Sequence, residues 1–397
     1  MTGAIERESR RSLLLSSLAG LVGLSSMDDS SMRMVRAPGR VNLIGEHTDY
    51  NLGFVMPVAI SLDTWAASLP RADSIVRVAS RQGSETLEFD LQRIGPARGE
   101  WIDYIAGVAQ ILQQRGVELR GVDAVIDSII PQGAGLSSSA ALELAAAWTL
   151  SAETPPPLPV MDLAKAAQQA ENEYVGVQCG LMDQFASSHG RAGHGLLLDC
   201  RSTGHRALPL PDGYSIVALD SRVEHKLGAS EYNARRAQCE RGVAQISRRF
   251  EGVASLRDVT SRMLDESAAE LDEETLRRCR HVVDENARVL AAADAFERGD
   301  LTAVGKLFAE SHASLRDLYE VSSPELDALV DIAGSVPGVV GARMTGAGFG
   351  GCTVNLVRDD AINDLRDAVE GHYPRRAGRE AGFYFVDAVG GAGLVTA

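Results

Sequence analysis

The stretch Arg36-Ala-Pro-Gly-Arg-Val-Asn-Leu-Ile-Gly-Glu-His-Thr-Asp-Tyr50 is the most informative part of this chain. After a short apolar start, it places Arg40, Glu46, His47 and Asp49 within ten residues. A buried strand has little use for so many hydrogen-bonding groups, because each one must find a partner or cost free energy. A site that holds a small polyhydroxylated molecule needs this mixture of donors and acceptors. The segment therefore predicts a ligand site.

Composition limits the classes of function. The chain has 397 residues, enough for one large or two medium domains with a sizeable core. Its net charge of -15 disfavours a nucleic-acid or membrane partner, but phosphate sites are built locally, so an anionic nucleotide is not excluded. Five cysteines without metal spacing indicate reduced thiols and a cytoplasmic location. We further expect a monomer.

The amino terminus resembles an export signal only superficially. Arg10-Arg11 is followed by an apolar stretch, residues 13–24, but no clear small-x-small cleavage site comes after it. No apolar run reaches the roughly 20 residues that span a bilayer. We interpret residues 1–31 as a leader, either poorly ordered or a loosely docked helix. Met32 or Met34 could serve as the true start, in which case the leader is not native.

Apolar periodicity and glycine or proline breaks predict a mixed α+β chain in two halves. Short strands fill the amino-terminal part, and long polar helices dominate after the middle. The predicted helices are Trp101–Gln114, Ser138–Leu150, Val160–Tyr174, Glu231–Phe250, Glu274–Arg298 and Leu301–Leu318. Predicted strands include Thr64–Leu69, Ile75–Ala79 and Val122–Ile130.

A glycine-rich loop, Pro131-Gln-Gly-Ala-Gly-Leu-Ser-Ser-Ser-Ala-Ala141, lies between a predicted strand and a predicted helix. Gly133 and Gly135 permit a tight turn with exposed N–H groups, and the helix start adds partial positive charge. Phosphates fit such a place. The loop is not a Walker A motif, because the Gly-Lys-Ser/Thr ending is missing. The alternative is a simple helix N-cap with glycines in a turn.

Two further segments have unusual composition. Asp183 lies just after Gly180 in a stretch, residues 171–185, that is too apolar and glycine-broken for a solvated face. Alone, such an aspartate is more often a cap or a surface charge. Residues 343–356 contain four glycines within six positions and run into a strand, which permits close backbone approach to a ligand or another loop. The alternative there is a glycine-rich hairpin without a ligand.

Together these segments resemble a known family. Residues 36–60 are similar to the galactokinase signature almost letter for letter, residues 131–141 resemble the second motif of the GHMP small-molecule kinases, and residues 343–356 resemble the third. The family is named for galacto-, homoserine, mevalonate and phosphomevalonate kinases. The resemblance covers the chain from Arg33 to Val389.

The resemblance implies an α+β, two-domain GHMP kinase fold. A domain like domain 2 of ribosomal protein S5 is expected over residues 32–205, and a ferredoxin-like domain over residues 206–397. The site is expected in the cleft between them. ATP and Mg²⁺ are the implied nucleotide and metal.

The resemblance also assigns roles to single residues. It implies catalytic Asp183 and Arg40; sugar-binding Glu46, His47, Thr48, Asp49, Gly180 and Tyr232; nucleotide-binding Gly133, Ala134, Gly135, Leu136, Ser137, Ser138 and Ser139; and the metal ligands Ser139 and Glu171. Asp183 is expected to accept the sugar's proton, and Arg40 to stabilise charge on the transferring group. Two oxygen ligands plus nucleotide phosphates and water suit Mg²⁺. An exposed helix charge is the plainer reading of Glu171, and a core side chain that of Tyr232.

The implied reaction is transfer of the γ-phosphoryl group of ATP to the C1 hydroxyl of α-D-galactose, giving galactose 1-phosphate and ADP. Two alternatives stay open. One is a related sugar 1-kinase that acts on N-acetylgalactosamine, galacturonate or arabinose, although the motif Glu46-His-Thr-Asp49 favours galactose. The other is a non-enzymatic sensor of galactose and ATP, against which the intact Arg40 and Asp183 argue, since a pure sensor needs no base.

Overall fold

The structure, a computed structural model, describes residues 2–24, 32–83, 85–223 and 228–395. In the amino-terminal half the elements are α1 (Thr2–Val22), β1 (Arg33–Asn42), β2 (Phe54–Val55), β3 (Pro57–Pro70), β4 (Ile75–Ser80), β5 (Thr86–Asp90), α2 (Ile102–Gln114), β6 (Val122–Ser128), α3 (Ser138–Leu150), α4 (Val160–Ala170), α5 (Met182–His189), β7 (His194–Asp199) and β8 (His205–Pro209).

The carboxy-terminal half is richer in helix. Its elements are β9 (Tyr214–Asp220), α6 (Gly228–Ile246), α7 (Ser261–Ser267), α8 (Glu273–Arg298), α9 (Leu301–Ser314), α10 (Pro324–Gly334), β10 (Val339–Met344), β11 (Cys352–Arg358), α11 (Ile362–Ala377), β12 (Gly382–Val386) and β13 (Gly393–Leu394). Short 3-10 turns lie at Asp49–Asn51, Leu256–Asp258, Ala268–Glu270 and Asp359–Ala361, and π turns at Glu171–Val175 and Leu315–Tyr319.

The strands of the described ranges form three sheets. The largest has the order β13-β1-β3-β6-β4-β5, in which only β4 and β6 run parallel. A four-stranded antiparallel sheet, β10-β11-β9-β12, lies in the carboxy-terminal half, and β2-β7-β8 form a small third sheet. Leu394 of β13 pairs with Val35 of β1, so the chain's last strand returns to the first sheet. This is the mixed α+β architecture that the sequence predicts.

The largest sheet is covered on both faces. Alternation along β1 sends Val35 and Ala37 into the main core, beneath α2, α3 and α4. The opposite face, which includes Trp65, packs against α1 through the fully buried Leu14 and Leu18.

Helix α1 is also held by charge. Arg10 donates to the carboxylates of Asp63 and Asp127 at 2.5 Å each, and its guanidinium lies 4.9 Å above the Trp65 ring. These contacts dock the helical part of the predicted leader on the sheet, and residues 25–31 of that leader lie outside the described residues.

Most predicted helices are confirmed. Helix α3 has the predicted bounds, Ser138–Leu150, and α8 starts one residue before its predicted start. Helix α4 ends earlier than predicted, at Ala170, because the chain continues as a π turn over Glu171–Val175 that Gly176 closes with a φ of 93°. Single π turns often occur where a side chain must be re-aimed at a functional site, and this one carries Glu171.

None of the helices in the described ranges combines the length and the apolar character that a membrane crossing requires.

Candidate active site

The turn that follows β1 is built by its own polar side chains. His47 adopts a left-handed φ of 63°, and the hydroxyl of Thr48 donates to the carbonyl oxygens of Gly45 (2.8 Å) and Phe54 (2.6 Å). From α8, Glu285 accepts from the N–H of Gly45 at 3.0 Å. Thr48 is fully buried, so its hydroxyl shapes the turn and does not reach a ligand.

Glu46 ties this turn to the glycine-rich segment near the carboxy terminus. Its carboxylate forms a buried ion pair with Arg343 and accepts from the N–H of Gly346 at 3.2 Å. Burial raises the pKa of Glu46, and the guanidinium of Arg343 opposes that rise. Two segments about 300 residues apart in sequence are thereby fixed to each other.

Both ring nitrogens of His47 are occupied. Nδ1 lies 2.9 Å from the hydroxyl of Tyr50, and Nε2 lies 3.1 Å from the carbonyl oxygen of Ala347. Burial lowers the pKa of His47 to about 3, so the imidazole is neutral near pH 7. The carbonyl can only accept, so Nε2 carries the hydrogen and Nδ1 accepts from the tyrosine. His47 therefore presents its ring, 5.6 Å from that of Tyr232, rather than a free donor.

Asp49 lies against a glycine that leaves room for it. A Cβ added at Gly180 would lie 2.1 Å from Oδ2 of Asp49, so only glycine fits there. Burial, and then the charge of Asp183, raise the pKa of Asp49 to about 6, while backbone N–H groups of Tyr50 and Met182 oppose the rise. The carboxylate is an acceptor for a hydroxyl once it is ionised.

The glycine-rich loop, residues 131–141, which we call the phosphate loop after its predicted role, is held from two sides. A Cβ added at Gly346 would lie 2.9 Å from the carbonyl oxygen of Gly135, which places the third motif directly on the second. Arg40 donates to the same carbonyl at 2.5 Å. Ser137, the residue directly before α3, has a left-handed φ of 61°. A non-glycine residue in this region is strained, and such strain is often found in ligand-binding turns.

Asp183 lies in the first turn of α5 and is gripped by two neighbours. Arg40 forms a bidentate pair with it, Nε to Oδ1 at 2.8 Å and Nη2 to Oδ2 at 2.7 Å. The hydroxyl of Ser137 donates to Oδ2 at 2.5 Å. Bidentate pairing fixes the orientation of the carboxylate as well as its charge.

A second acidic cluster surrounds Glu171. The hydroxyl of Ser139 bonds to its carboxylate, and Nε2 of Gln184 donates to Glu171 at 2.7 Å and to Glu143 at 2.9 Å. Burial raises the pKa of both Glu171 and Glu143, and neighbouring carboxylates raise them further. Carboxylates with no cation of their own suit a divalent metal.

These groups surround two adjoining spaces. One is a cavity of about 240 Å³, which we call the sugar cavity, lined by Arg40, Glu46, His47, Asp49, Tyr104, Glu171, Val177, Cys179, Gly180, Met182, Asp183, Tyr232, Gly346 and Ala347. The other, the nucleotide cleft, has about 810 Å³ and is lined by Ser80, Gln82, Trp101, Tyr104, Gln132, Ser138, Ser139, Arg222, Tyr384 and several apolar residues. Tyr104 lines both, so the two spaces meet there.

The metal ligands named from the sequence fit a magnesium ion only with help from a nucleotide. Among the described residues, no group of three or more His, Cys, Asp or Glu side chains is arranged to hold a metal. The hydroxyl of Ser139 and the carboxylate of Glu171 provide two oxygens side by side. Mg²⁺ is usually held by one or two carboxylates with phosphates and water, so this pair is sufficient.

The structure brings most of the predicted site residues together. Arg40, Glu46, His47, Asp49, Glu171, Gly180, Asp183 and Tyr232 line the sugar cavity, and Ser138 and Ser139 line the nucleotide cleft. The structure does not bring the others into either lining. Ala134 and Leu136 are buried with the core, and Thr48 serves the turn. Gly133 and Gly135 have left-handed φ values that shape the loop, and Ser137 contacts Asp183.

Four residues at the site escaped sequence reasoning. Tyr104 lies beside the apolar face of a predicted helix. Glu143 is the one acidic residue in the apolar helix α3, and this isolated charge could have indicated a site. Gln184 bridges Glu171 and Glu143, and no local sequence signal marks it. Arg343 stands at the start of the third motif, but nothing local reveals Glu46 as its partner.

Comparisons with known proteins give the family. The galactokinase galactose-binding signature matches residues 25–69, and the GHMP kinase N-terminal and C-terminal domains match residues 103–191 and 292–375. A galactokinase from Chloroflexus aggregans is 49% identical over 348 residues, covering 87% of this chain and 89% of that protein. One from a Roseiflexus species is 47% identical over 362 residues, covering 91% and 93%.

Solved structures agree. The structure of Lactococcus lactis galactokinase complexed with galactose matches with a TM-score of 0.92 at 36% identity, over 97% of this chain and 99% of that one. Methanococcus jannaschii mevalonate kinase matches with a TM-score of 0.61 at 18% identity, covering 91% of this chain and 100% of that one, which shows the shared fold. The chain belongs to the galactokinase family of GHMP kinases.

Proposed function

We propose that the protein transfers the γ-phosphoryl group of ATP to the C1 hydroxyl of α-D-galactose, producing galactose 1-phosphate and ADP. The observation that carries this proposal is the position of Asp183, which lies in the sugar cavity and is bound to Arg40 and to Ser137 of the phosphate loop. A carboxylate there can meet a sugar hydroxyl on one side and the end of a nucleotide on the other.

The chemistry assigned to these residues is positioning with modest proton transfer. Asp183 accepts the proton of the C1 hydroxyl as its oxygen attacks phosphorus, and ADP leaves with the electrons of the broken P–O bond. Phosphoryl transfer passes through a loose transition state, so full deprotonation beforehand is unnecessary. Arg40 orients the carboxylate and offsets negative charge on the transferring group.

The sugar is proposed to contact Glu46, the ring of His47, Asp49 and Tyr232. Carboxylate oxygens accept from hydroxyls, and Tyr232 can donate or accept. The phosphates are proposed to lie on the loop that includes Ser138 and on the start of α3.

Mg²⁺ is proposed to be held by Ser139 and Glu171 together with the nucleotide. Bound there, it would neutralise phosphate charge and orient the transferring group. We also propose a cytoplasmic monomer, because all five cysteines are free and the net charge is strongly negative.

The test is ADP release at saturating MgATP with D-galactose, N-acetylgalactosamine, D-glucose, galacturonate, arabinose or no sugar. Release with galactose alone, together with a ³¹P signal of an anomeric phosphate, would support the proposal. ADP release with a different sugar would support kinase activity but would assign another sugar as the substrate. Galactose binding without release under any condition would overturn the kinase assignment in favour of a sensor.

A further inference from the structure

The nucleotide cleft has an unusual charge distribution. It is lined by serines, a threonine, glutamines, aromatic rings and aliphatic side chains from the amino-terminal half, and by Arg222 and Tyr384 from the carboxy-terminal half. Among the described residues of this lining, Arg222 carries the one formal charge. A nucleotide di- or triphosphate brings several negative charges into such a space.

Arg40, the cation that lines the adjoining sugar cavity, is already committed. Arg40 makes two bonds to Asp183 and a third to the carbonyl oxygen of Gly135. A guanidinium has five N–H donors, and three of these are satisfied by protein groups that have no other cation. Within the described ranges, the positive charge of the cleft therefore comes from Arg222 and from the start of α3, to which a bound metal would add.

Arg222 is anchored through its backbone while its side chain stays accessible. The residue follows β9 with a left-handed φ of 57°, its N–H donates to Oδ1 of Asp220 at 2.8 Å, and Arg379 donates to its carbonyl oxygen at 2.9 Å. One nitrogen of the guanidinium lies 3.3 Å from the buried Asp220, yet 52% of the side chain is exposed. The guanidinium has five N–H donors, so the groups not used by its protein contacts can bind a phosphate.

Tyr384 of β12 supports the same placement. Its ring centroid lies 5.8 Å from the guanidinium of Arg222, and both residues line the cleft. The Tyr384 side chain also forms a hydrogen bond with Arg222, and the ring contact restrains the long arginine side chain further. The arginine is thereby held at the wall of the cleft.

We propose that Arg222 binds the polyphosphate of the nucleotide, so that the carboxy-terminal half supplies a phosphate contact in addition to those of the loop. This rests on the proposed function in that the cleft must take a nucleotide, but it does not depend on which sugar is phosphorylated.

The test is equilibrium binding of ADP, AMP and adenosine by calorimetry, without sugar, to the full chain and to Arg222→Ala and Arg222→Lys. We expect Arg222→Ala to weaken ADP binding about tenfold, the scale of one charge-assisted hydrogen bond, and to leave adenosine binding unchanged. Arg222→Lys should recover part of the loss, since charge is kept and the fork geometry is lost. The gap should shrink at high ionic strength, because the side chain is exposed.

Arg262→Ala is the matched control, because that arginine is 88% exposed and pairs only with Glu266 in the described part of the chain. Unchanged galactose affinity and melting temperature in Arg222→Ala would exclude misfolding. Equal losses for ADP and adenosine would overturn the proposal, since Arg222 would then shape the base pocket. Unchanged ADP affinity would overturn it as well. Turnover of a sugar other than galactose would change the proposed substrate but would not affect the conclusion about ADP binding by Arg222.

Discussion

The sugar cavity and the nucleotide cleft are neighbours built on opposite principles. Five charged side chains line the cavity, and each has a partner in the protein: Arg40, Glu46, Asp49, Glu171 and Asp183. The cleft is more than three times as large and carries a single formal charge among its described residues. The cavity is organised before any ligand arrives, whereas the cleft is largely neutral.

The difference follows from the two ligands. A sugar is neutral and differs from its isomers only in the direction of its hydroxyls, so selecting it requires fixed donors and acceptors. Holding those groups requires counter-charges such as Arg343. A nucleotide brings its own charge and its own metal, and backbone N–H groups at a helix start suffice for phosphates. Substitutions in the cavity should therefore change sugar binding and the stability of the fold, and substitutions in the cleft should change nucleotide binding.

The largest effect is expected at Asp183, the carboxylate that we propose to be catalytic. Asp183→Asn keeps the shape of the side chain but removes the charge that pairs with Arg40 and the site that accepts a proton. We expect kcat to fall by a factor of about 10² or more, the usual scale of acid–base catalysis. Steady-state ADP release measures it, and calorimetry should find galactose still bound. Asp265→Asn, on an aspartate whose side chain is 65% exposed, is the control. Near-normal turnover of Asp183→Asn would contradict the assignment.

The next effect concerns the stability of the cavity wall. Arg343→Met removes the partner of Glu46 and leaves a buried carboxylate without its cation. Breaking a buried pair costs about 3–5 kcal/mol of the free energy of unfolding, which urea denaturation measures. Adding Glu46→Gln should recover part of the loss, because the uncompensated charge is then gone. If the double variant were less stable than the single one by a full additive amount, the two residues would not be coupled.

The local parts of the cavity could be predicted from the sequence, and its long-range parts could not. Glu46 and Asp49 stand in a motif whose composition is unusual for a buried strand, so the sequence alone indicates them, whereas the role of Asp183 is implied by the family resemblance. Glu285 and Arg343 hold the turn from about 240 and 300 residues away, and no spacing rule connects them to it. Buried counter-charges are a tertiary property, because their partner is set by the fold.

The fold shows the same division between local features, which the sequence predicts, and long-range features, which it does not. Helix α3 has its predicted bounds, since apolar periodicity and the glycine-rich start both mark it. Strand β3 runs over Pro57–Pro70, far longer than the predicted Thr64–Leu69, because Asp63 looks like a break in the apolar pattern. That aspartate is compensated by Arg10 of α1 and by Arg36. A strand can contain a charged residue when two cations lie beside it, here one on α1 and one on the neighbouring strand β1. Only the folded chain reveals these cations.

A single added methyl group should change galactose binding in the cavity far more than nucleotide binding in the cleft. In Gly180→Ala the new Cβ would lie 2.1 Å from Oδ2 of Asp49, so the carboxylate must move. We expect KM for galactose to rise about tenfold, since a misplaced polar contact of this kind costs about 1–3 kcal/mol. KM for ATP should change far less. Gly371→Ala, at a helical glycine whose Cβ would meet nothing within 4 Å, is the matched control. Equal changes in both KM values would mean that the cavity and the cleft are not independent.

The smallest effect is one of pH, and it also distinguishes the two regions. Burial and the charge of Asp183 raise the pKa of Asp49 to about 6, so its ionised form is disfavoured in the folded protein. The resulting destabilisation is fully present above pH 6 and fades as the pH falls toward the ordinary carboxyl range. Sugar binding has the opposite sign, because a protonated Asp49 loses acceptor capacity. Galactose affinity should be about fourfold weaker at pH 5.5 than at pH 7.5, the loss of ionised carboxylate expected at that pKa. Calorimetry should find this slope absent in Asp49→Asn, whereas a slope that survives the substitution would assign it to another group.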